Sequence, residues 1–472
     1  MPLADWASFA IQALAAAVFA EIPVAGVPVQ LVVLWLAAAM VFTTVWLRCP
    51  QLRGFRLAFR VLAGRLSDPR DWGAVSPFQA LSTALASTVG LGNIAGVAVA
   101  VATGGPGAIF WMGVIGVFAM ALKCAEVTLG LMYRERLPSG RVMGGPAITL
   151  MNGLAAAGLP GLGRFLARAH ALFMILGCLS LFQINQAHAQ VSVAFGWHSP
   201  VGFGVGFALL VALVLMGSVA WIGRVAGRLV PTMCLLYVLA CLVTVLAHLD
   251  RLPEAFARIL LGAFSPEGVA GGALGVFVVG MRRAVYSSEA GIGTAVVAHA
   301  QARTREPASE GLVALIEPFV DTVVICTLSG LTLVVTGLDG APLDGVAMTS
   351  AALSTAIPSA PAVLAVVVFL FAYSTVLANG FYAAEAFQFL VGHGRVRELA
   401  FKAAFCLVLP LGTLLKPQEV LDLVDSAFFL MAIPNVLGIY LLARPLRAEL
   451  EGYLSRMSRA RPRSSGRSVG QG

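Results

Sequence analysis

Eleven long apolar stretches constrain this 472-residue chain more than any other feature. They run at about 29–47, 77–103, 107–132, 169–195, 200–219, 229–248, 270–299, 312–336, 359–390, 399–415 and 420–443. A hydrocarbon core takes about 20 apolar helical residues to cross, and inside it each backbone amide and carbonyl must be satisfied within the protein. The stretches therefore predict an all-α integral membrane protein of about eleven transmembrane helices, forming a single domain over 29–445. Composition agrees: 11% of residues are charged, against roughly 25% in a soluble globular chain.

Charge placement orients the helices, because short cytoplasmic loops collect Lys and Arg. Twenty-five of the 31 basic residues fall in the loops after the odd-numbered stretches or in the C-terminal tail, from Arg48–Arg70 and Arg134–Arg168 to Arg444–Arg467. The opposite side receives Arg251, Arg258 and Lys416. This predicts a multi-pass protein of the cell inner (plasma) membrane, with the N-terminus outside and the C-terminus in the cytoplasm. The net charge of +8 then follows from topology and attraction to membrane lipid, and gives no reason to invoke nucleic acid. The segment 1–28, with an apolar run from Trp6 to Ala20 too short to cross, is expected to be interfacial. Residues 446–472 read as a basic cytoplasmic tail, disordered from Met457 and dispensable.

Two stretches are interrupted. The second holds Ser87-Thr88-Val89-Gly90-Leu91-Gly92-Asn93-Ile94-Ala95-Gly96, and the seventh holds Ser287-Ser288-Glu289-Ala290-Gly291-Ile292-Gly293-Thr294. Single glycines in membrane helices often serve close packing. Here the two breaks occupy the first helix of each of two five-helix sets with opposite topology, which points to a binding site at mid-membrane. Half-helix N-termini offer N–H groups and a positive dipole end to a carboxylate, while unwound carbonyls can hold a cation. Ser374 and Thr375 in the ninth stretch add adjacent hydroxyls.

The run Gln79 to Phe110, QALSTALASTVGLGNIAGVAVAVATGGPGAIF, closely resembles the signature of the alanine or glycine:cation symporter family. Gly144-Gly145-Pro146, Gln186, Ser287 with Glu289-Ala290-Gly291, Asp321-Thr322 to Cys326-Thr327, and Ser374-Thr375 with Asn379 and Tyr382 are similar to that family's landmarks, and the likeness spans about 72–445. It implies a LeuT-type core of 5 + 5 inverted helices, with halves at about 77–248 and 270–443, preceded by one extra helix and carrying two discontinuous helices. It further implies sodium-coupled symport of a small neutral amino acid, alanine or glycine, by alternating access. Substrate contacts would come from Gly90, Leu91, Gly92, Asn93, Gln186, Ser287, Ser288, Gly291 and Asn379, and sodium contacts from Val89, Ser374 and Thr375. The sodium ion would be co-transported, with no organic cofactor. The chain departs from the family pattern at Leu91, Ser288 and His188, which leaves open an altered substrate or proton coupling.

Charges at membrane depth need partners or a cavity. Lys123 and Glu126, three apart on one helix face, are expected to pair. Arg282 and Arg283 are candidates to snorkel or to pair with Glu289 or Asp321; Glu289, Arg283 and Asp321 are read as structural or gating charges. Glu289, inside the break, either orients the backbone or carries a proton. His188 either lines the pocket or packs across helices. No histidine pair, C-x-x-C or nucleophile-and-base pattern supports a metal site or an enzyme. A channel or a non-transporting sensor on the same fold is the remaining alternative.

Overall fold

The computed structural model describes residues 15–24, 26–66, 68, 70–138, 140–264, 272–341, 343, 345–414 and 417–459, with only the backbone of 417–424. It is almost wholly helical, and each of the eleven apolar stretches falls on a helix or a helix pair. Among the described residues five helices are long and apolar enough to cross a membrane, and two bent pairs raise that to seven. The remaining stretches lie on shorter helices, among them Leu31–Trp46 and Pro200–Leu215.

The second span begins with a capping box: Gln79 N–H donates to Ser76 Oγ at 3.2 Å and Ser76 N–H to Gln79 Oε1 at 3.0 Å, with Pro77 in the first turn. This satisfies donors that a helix start leaves free. The helix Pro77–Thr88 ends where Val89 turns to an extended conformation; a widened π-type turn at Gly92–Gly96 then leads into Val97–Gly104. The two halves are bent by 55°. The seventh span likewise splits into Gly272–Ser288 and Thr294–His299. Its break passes through three left-handed residues, Glu289, Gly291 and Gly293. For Glu289 that conformation costs about 1–2 kcal/mol.

The broken spans lie side by side and antiparallel. Thr294–His299 packs on Pro77–Thr88, while Gly272–Ser288 packs on Gly92–Gly104, so the two breaks meet. The third span, Gly107–Met132, packs behind them on Gly272–Ser288 and on Pro307–Val313. A second π-type turn, Phe319–Cys326, interrupts the eighth span beside the break of the second. The ninth span, Ala360–Val391, covers the first half of the second span.

Several expectations change. Residues 1–14 of the interfacial segment lie outside the described residues, but its end forms a hairpin in which Glu21–Val24 pairs antiparallel with Val27–Gln30. The start of the basic tail is a helix, Ala443–Arg459, which buries Leu446, Leu450 and Tyr453 and runs three residues into the stretch where disorder is expected from Met457. Those residues recur at helical spacing, within a composition dominated by Arg and Glu. Arg53 and Glu451 pair at 2.7 Å over it, and the guanidinium holds the Glu451 carboxyl below its usual range. Residues 460–472 lie outside the described residues. The fourth span is also broken, with Ser180 left-handed between Pro160–Gly177 and Leu181–Phe195.

Arg134, just past the third span, donates to Ala300 O and Ala302 O at 2.7 Å each and to Thr304 O, and stacks 3.9 Å above the Trp72 ring. It thereby ties that end of the third span to the loop after the seventh. Burial pushes the guanidinium down to about 10, so it stays charged near neutral pH.

Candidate functional site

Asn93, fully buried in the second-span break, is the hub where the breaks meet. Its Oδ1 accepts from Gly90 N–H at 2.9 Å, which fixes the unwound turn. Its Nδ2 donates to Asp321 Oδ1 at 2.7 Å and Asp321 O at 3.0 Å, with Ser287 Oγ at 3.3 Å. Ser287, the last turn before the seventh-span break, donates to Asp321 Oδ2 at 2.6 Å, and Thr322 Oγ1 donates to the same oxygen at 2.8 Å. The Asp321 carboxylate thus joins both broken spans to the π-type turn of the eighth. It is fully buried, and among the described residues it forms no ion pair with Lys, Arg or His. A buried carboxylate held by neutral donors favours a nearby cation or proton.

On the other side of the first break, Thr375 Oγ1 and Ser374 Oγ both reach Ala86 O, at 3.0 and 3.3 Å. A Cβ placed on Gly90 would meet Thr375 Oγ1 at 3.3 Å. These hydroxyls, the Ala86 carbonyl and the backbone at Val89 therefore cluster against the end of the half-helix. Tyr382 of the same span donates to Thr83 O at 3.2 Å. Gly92 is exposed, with nothing within 4 Å of a Cβ built there. The neighbouring Leu91 is buried.

The second break is held from behind. Gly291 N–H donates to Glu126 Oε2 at 3.1 Å, and Asn435 Nδ2 donates to Glu126 Oε2 at 3.0 Å and to Gly291 O at 2.9 Å. Glu289 accepts from Thr294 Oγ1 at 2.8 Å across the same turn, a bond that orients the backbone. Ser288 Oγ accepts from Ala290 N–H at 3.4 Å. Gly144-Gly145-Pro146 packs on the far half of the span, since a Cβ on Gly293 would lie 2.5 Å from Pro146 Cγ and one on Gly144 would lie 2.5 Å from Ala300 Cβ.

The expected residues separate into two groups. Val89, Gly90, Leu91, Gly92, Asn93, Ser287, Ser288, Glu289, Gly291, Asp321, Ser374 and Thr375 sit in or against the breaks. Gln186 and Asn379 are bonded elsewhere: Gln186 Nε2 donates to Asn185 Oδ1 at 3.4 Å, and Asn379 Nδ2 donates to Ser180 Oγ at 2.9 Å. Arg283 forms no ion pair with Glu289 or Asp321 among the described residues; its guanidinium lies 6.0 Å over Tyr286. His188 faces Phe203, ring centroids 5.3 Å apart, with Ser192 Oγ at 3.4 Å. His188→Asn is expected to leave the competition profile among small amino acids unchanged, and a reordered profile would return it to the pocket. Lys123 pairs with Glu126 as expected, at 3.5 Å, and more closely with Glu317, at 3.0 Å. The sequence reading missed Asn435 altogether, although a lone Asn beside Pro434 in an apolar stretch is a signal that such a residue has a partner.

Two cavities of about 530 and 550 Å³ lie away from the breaks, the first lined by Phe203, Phe207, Phe369 and neighbours, the second by Phe165, Leu172 and the Arg164–Arg168 pair. Neither touches Asn93 or Asp321.

Comparison with known proteins supplies the biological frame. The model of the sodium:alanine symporter family matches residues 14–465. The sodium/alanine symporter AgcS of Methanococcus maripaludis is 36% identical over 421 residues, 88% of this chain and 92% of that protein. The probable sodium/glutamine symporter GlnT of Bacillus subtilis is 31% identical over 434 residues, 90% of this chain and 88% of that one. The crystal structure of MhsT in complex with L-phenylalanine superposes with a TM-score of 0.52 at 15% identity, covering 83% of this chain and 96% of that one. That likeness concerns the LeuT-type fold alone.

Proposed function

The chain belongs to the sodium:alanine symporter family, and from that membership we propose that it carries alanine or glycine across the cell inner membrane with sodium, by alternating access. The observation that supports this reading best is the junction of Asn93, Ser287 and Asp321, where two interrupted helices of opposite direction share one buried carboxylate. Such a junction gives the two halves a common point about which to move, and the adjoining unwound backbone gives ligands a place to bind at mid-membrane.

In this reading the substrate carboxylate lies at the start of Gly92–Gly104, where the helix dipole favours an anion and Gly92 leaves room for it. Leu91, buried next to that start, presents an apolar neighbour and suits a small apolar side chain. Sodium sits between Ala86 O, the Val89 backbone and the hydroxyls of Ser374 and Thr375, hard oxygen donors of the kind alkali and alkaline-earth cations take. Gln186 and Asn379 form an outer wall on the fourth and ninth spans, and Asp321, Glu289 and Arg283 act as structural or gating charges. The N-terminus faces outward and the C-terminal helix lies in the cytoplasm.

The test is uptake of radiolabelled alanine and glycine into proteoliposomes with an inward sodium gradient, imposed and then collapsed. Accumulation that disappears with the gradient is expected; equal uptake without sodium would exclude coupling. Thr375→Val keeps the shape but removes one hydroxyl, so the sodium concentration for half-maximal uptake is expected to rise about tenfold, equivalent to about 1.4 kcal/mol. An unchanged sodium dependence would move the ion elsewhere.

A further inference from the structure

Behind the seventh-span break runs a chain of five ionisable side chains, all fully buried. Glu126 Oε1 lies 3.5 Å from Lys123 Nζ, which lies 3.0 Å from Glu317 Oε1; Glu317 Oε2 lies 3.8 Å from His299 Nε2, and His299 Nδ1 lies 2.7 Å from Glu310 Oε1. The inner end is the carboxylate that holds Gly291 N–H. The outer end stands in the first turn of Pro307–Val313, just after the loop carrying the exposed Arg303 and Arg305. Four oxygens in it, Glu126 Oε1, Glu310 Oε2 and both of Glu317, are buried with no well-directed hydrogen bond, as are the Lys123 Nζ and His299 Nε2 atoms.

The charges do not balance. Glu126, Glu317 and Glu310 face Lys123 and His299 within the chain. Glu289 and Asp321 add two carboxylates from the break and the eighth span, and Arg134 adds one cation near Glu310. The other polar groups that face the chain are neutral: the Asn435 amide, and the Tyr382 hydroxyl near Glu317. His170 contacts the same break, at Ile292 O. Five carboxylates therefore face three bases even when His299 is doubly protonated. A sodium ion, as proposed above, offsets one of the two negative charges that then remain, and a third is present when His299 carries a single proton. An uncompensated buried charge is strongly disfavoured, and binding one proton removes one.

We propose that the Glu126–Lys123–Glu317–His299–Glu310 chain is a binding site for a hydrogen ion, filled from the Glu310 end, whose occupancy sets how tightly Glu126 holds the seventh-span break. A proton bound at Glu310 passes from Glu310 Oε1 to Nδ1 of a His299 ring protonated only at Nε2, and the ring closes its 3.8 Å gap to Glu317 and releases its Nε2 proton to Glu317 Oε2. Lys123 gives one proton to Glu126 Oε1 and regains one from Glu317, whose carboxyl turns to bring the proton taken at Oε2 to Lys123 Nζ. The net change is one proton bound, as an O–H on Glu126. That removes the negative charge facing Lys123 and weakens the acceptor at Gly291 N–H, because hydrogen bonds to an ionised group are roughly twice as strong as neutral ones. Proton binding and substrate binding are then linked and must affect each other equally. This inference rests on the symport reading only for the offsetting sodium ion.

Two measurements test it on the full purified chain. Infrared spectroscopy is expected to show the carbonyl stretch of a protonated buried carboxyl in the wild type and its loss in Glu126→Gln. In weakly buffered solution with saturating sodium, adding alanine is expected to exchange protons, by an amount that changes between about pH 5 and 8. His299→Gln, which interrupts the chain away from the ligand, should still bind alanine by calorimetry but lose this exchange. Absence of the carboxyl band in the wild type, or the same proton exchange in His299→Gln, would overturn the proposal. Alanine that fails to bind at all would count against the symport reading instead, with the infrared result still deciding the proton site.

Discussion

Asp321→Asn is expected to lower sodium-driven uptake about 100-fold while the protein still folds. The carboxylate accepts from Asn93 Nδ2, Ser287 Oγ and Thr322 Oγ1 at once. A carboxamide of the same size keeps one acceptor oxygen and turns an amino group toward donors that were satisfied. Each hydrogen bond to a charged group is worth about 1.5–3 kcal/mol, so losing a single one already corresponds to roughly a 10- to 150-fold effect. The loss should fall on transport rather than on packing, because the side-chain volume is unchanged. Initial uptake rates read alongside size-exclusion profiles and unfolding midpoints would separate the two. Uptake above half of the wild-type rate in a well-folded variant would mean that the junction of the breaks does not need this carboxylate.

Gly291→Ala is expected to be more damaging to the fold than its single methyl suggests. Gly291 has φ +89°, and a Cβ there would sit 2.4 Å from Leu36 Cδ2 and 3.1 Å from Leu122 Cδ2. Left-handed backbone costs a non-glycine residue about 1–2 kcal/mol, and overpacking adds about 1–3 kcal/mol. The residue cannot relax away, since its N–H is held by Glu126 and its carbonyl by Asn435. A lowered unfolding midpoint and a loss of uptake are both expected. The double variant Gly291→Ala with Leu36→Ala should recover only the part due to contact, leaving the backbone strain. A single variant with the wild-type midpoint would show that the break can adopt another path.

Both predictions rest on partners that the sequence did not disclose, and the reason is physical. The apolar stretches were legible because a bilayer imposes one length and one polarity on whatever crosses it. The breaks were legible because glycine clusters next to Asn93 and Glu289 have no use in a continuous helix. Lys123 with Glu126 was legible because a single helix sets their spacing. Which distant group meets which break is fixed by packing between helices hundreds of residues apart, and no local pattern encodes that choice. So Asp321 was seen as a charge needing a partner, yet its partners Asn93 and Ser287 appeared only in three dimensions. Asn435 and the turn at Ser180 carried weaker signals, a lone amide and a segment without glycine at the kink. The short helices Pro146–Ala156, Leu252–Phe264 and Gly345–Ser354 fall below the length that identifies a span and lie between the apolar stretches of the sequence.

Arg134 grips three alternate carbonyls, at 300, 302 and 304, rather than a carboxylate. Its partners cannot be titrated away in acid, and counter-ions in the medium compete poorly for a guanidinium whose two terminal nitrogens are already bonded and which is largely buried. The surface pair Arg53–Glu451, by contrast, weakens as ionic strength rises. The strap at the end of the third span is therefore the fastening that persists across the electrolyte changes a purification buffer imposes. Because it reads main chain alone, its grip does not depend on the chemistry of the side chains at 300, 302 and 304.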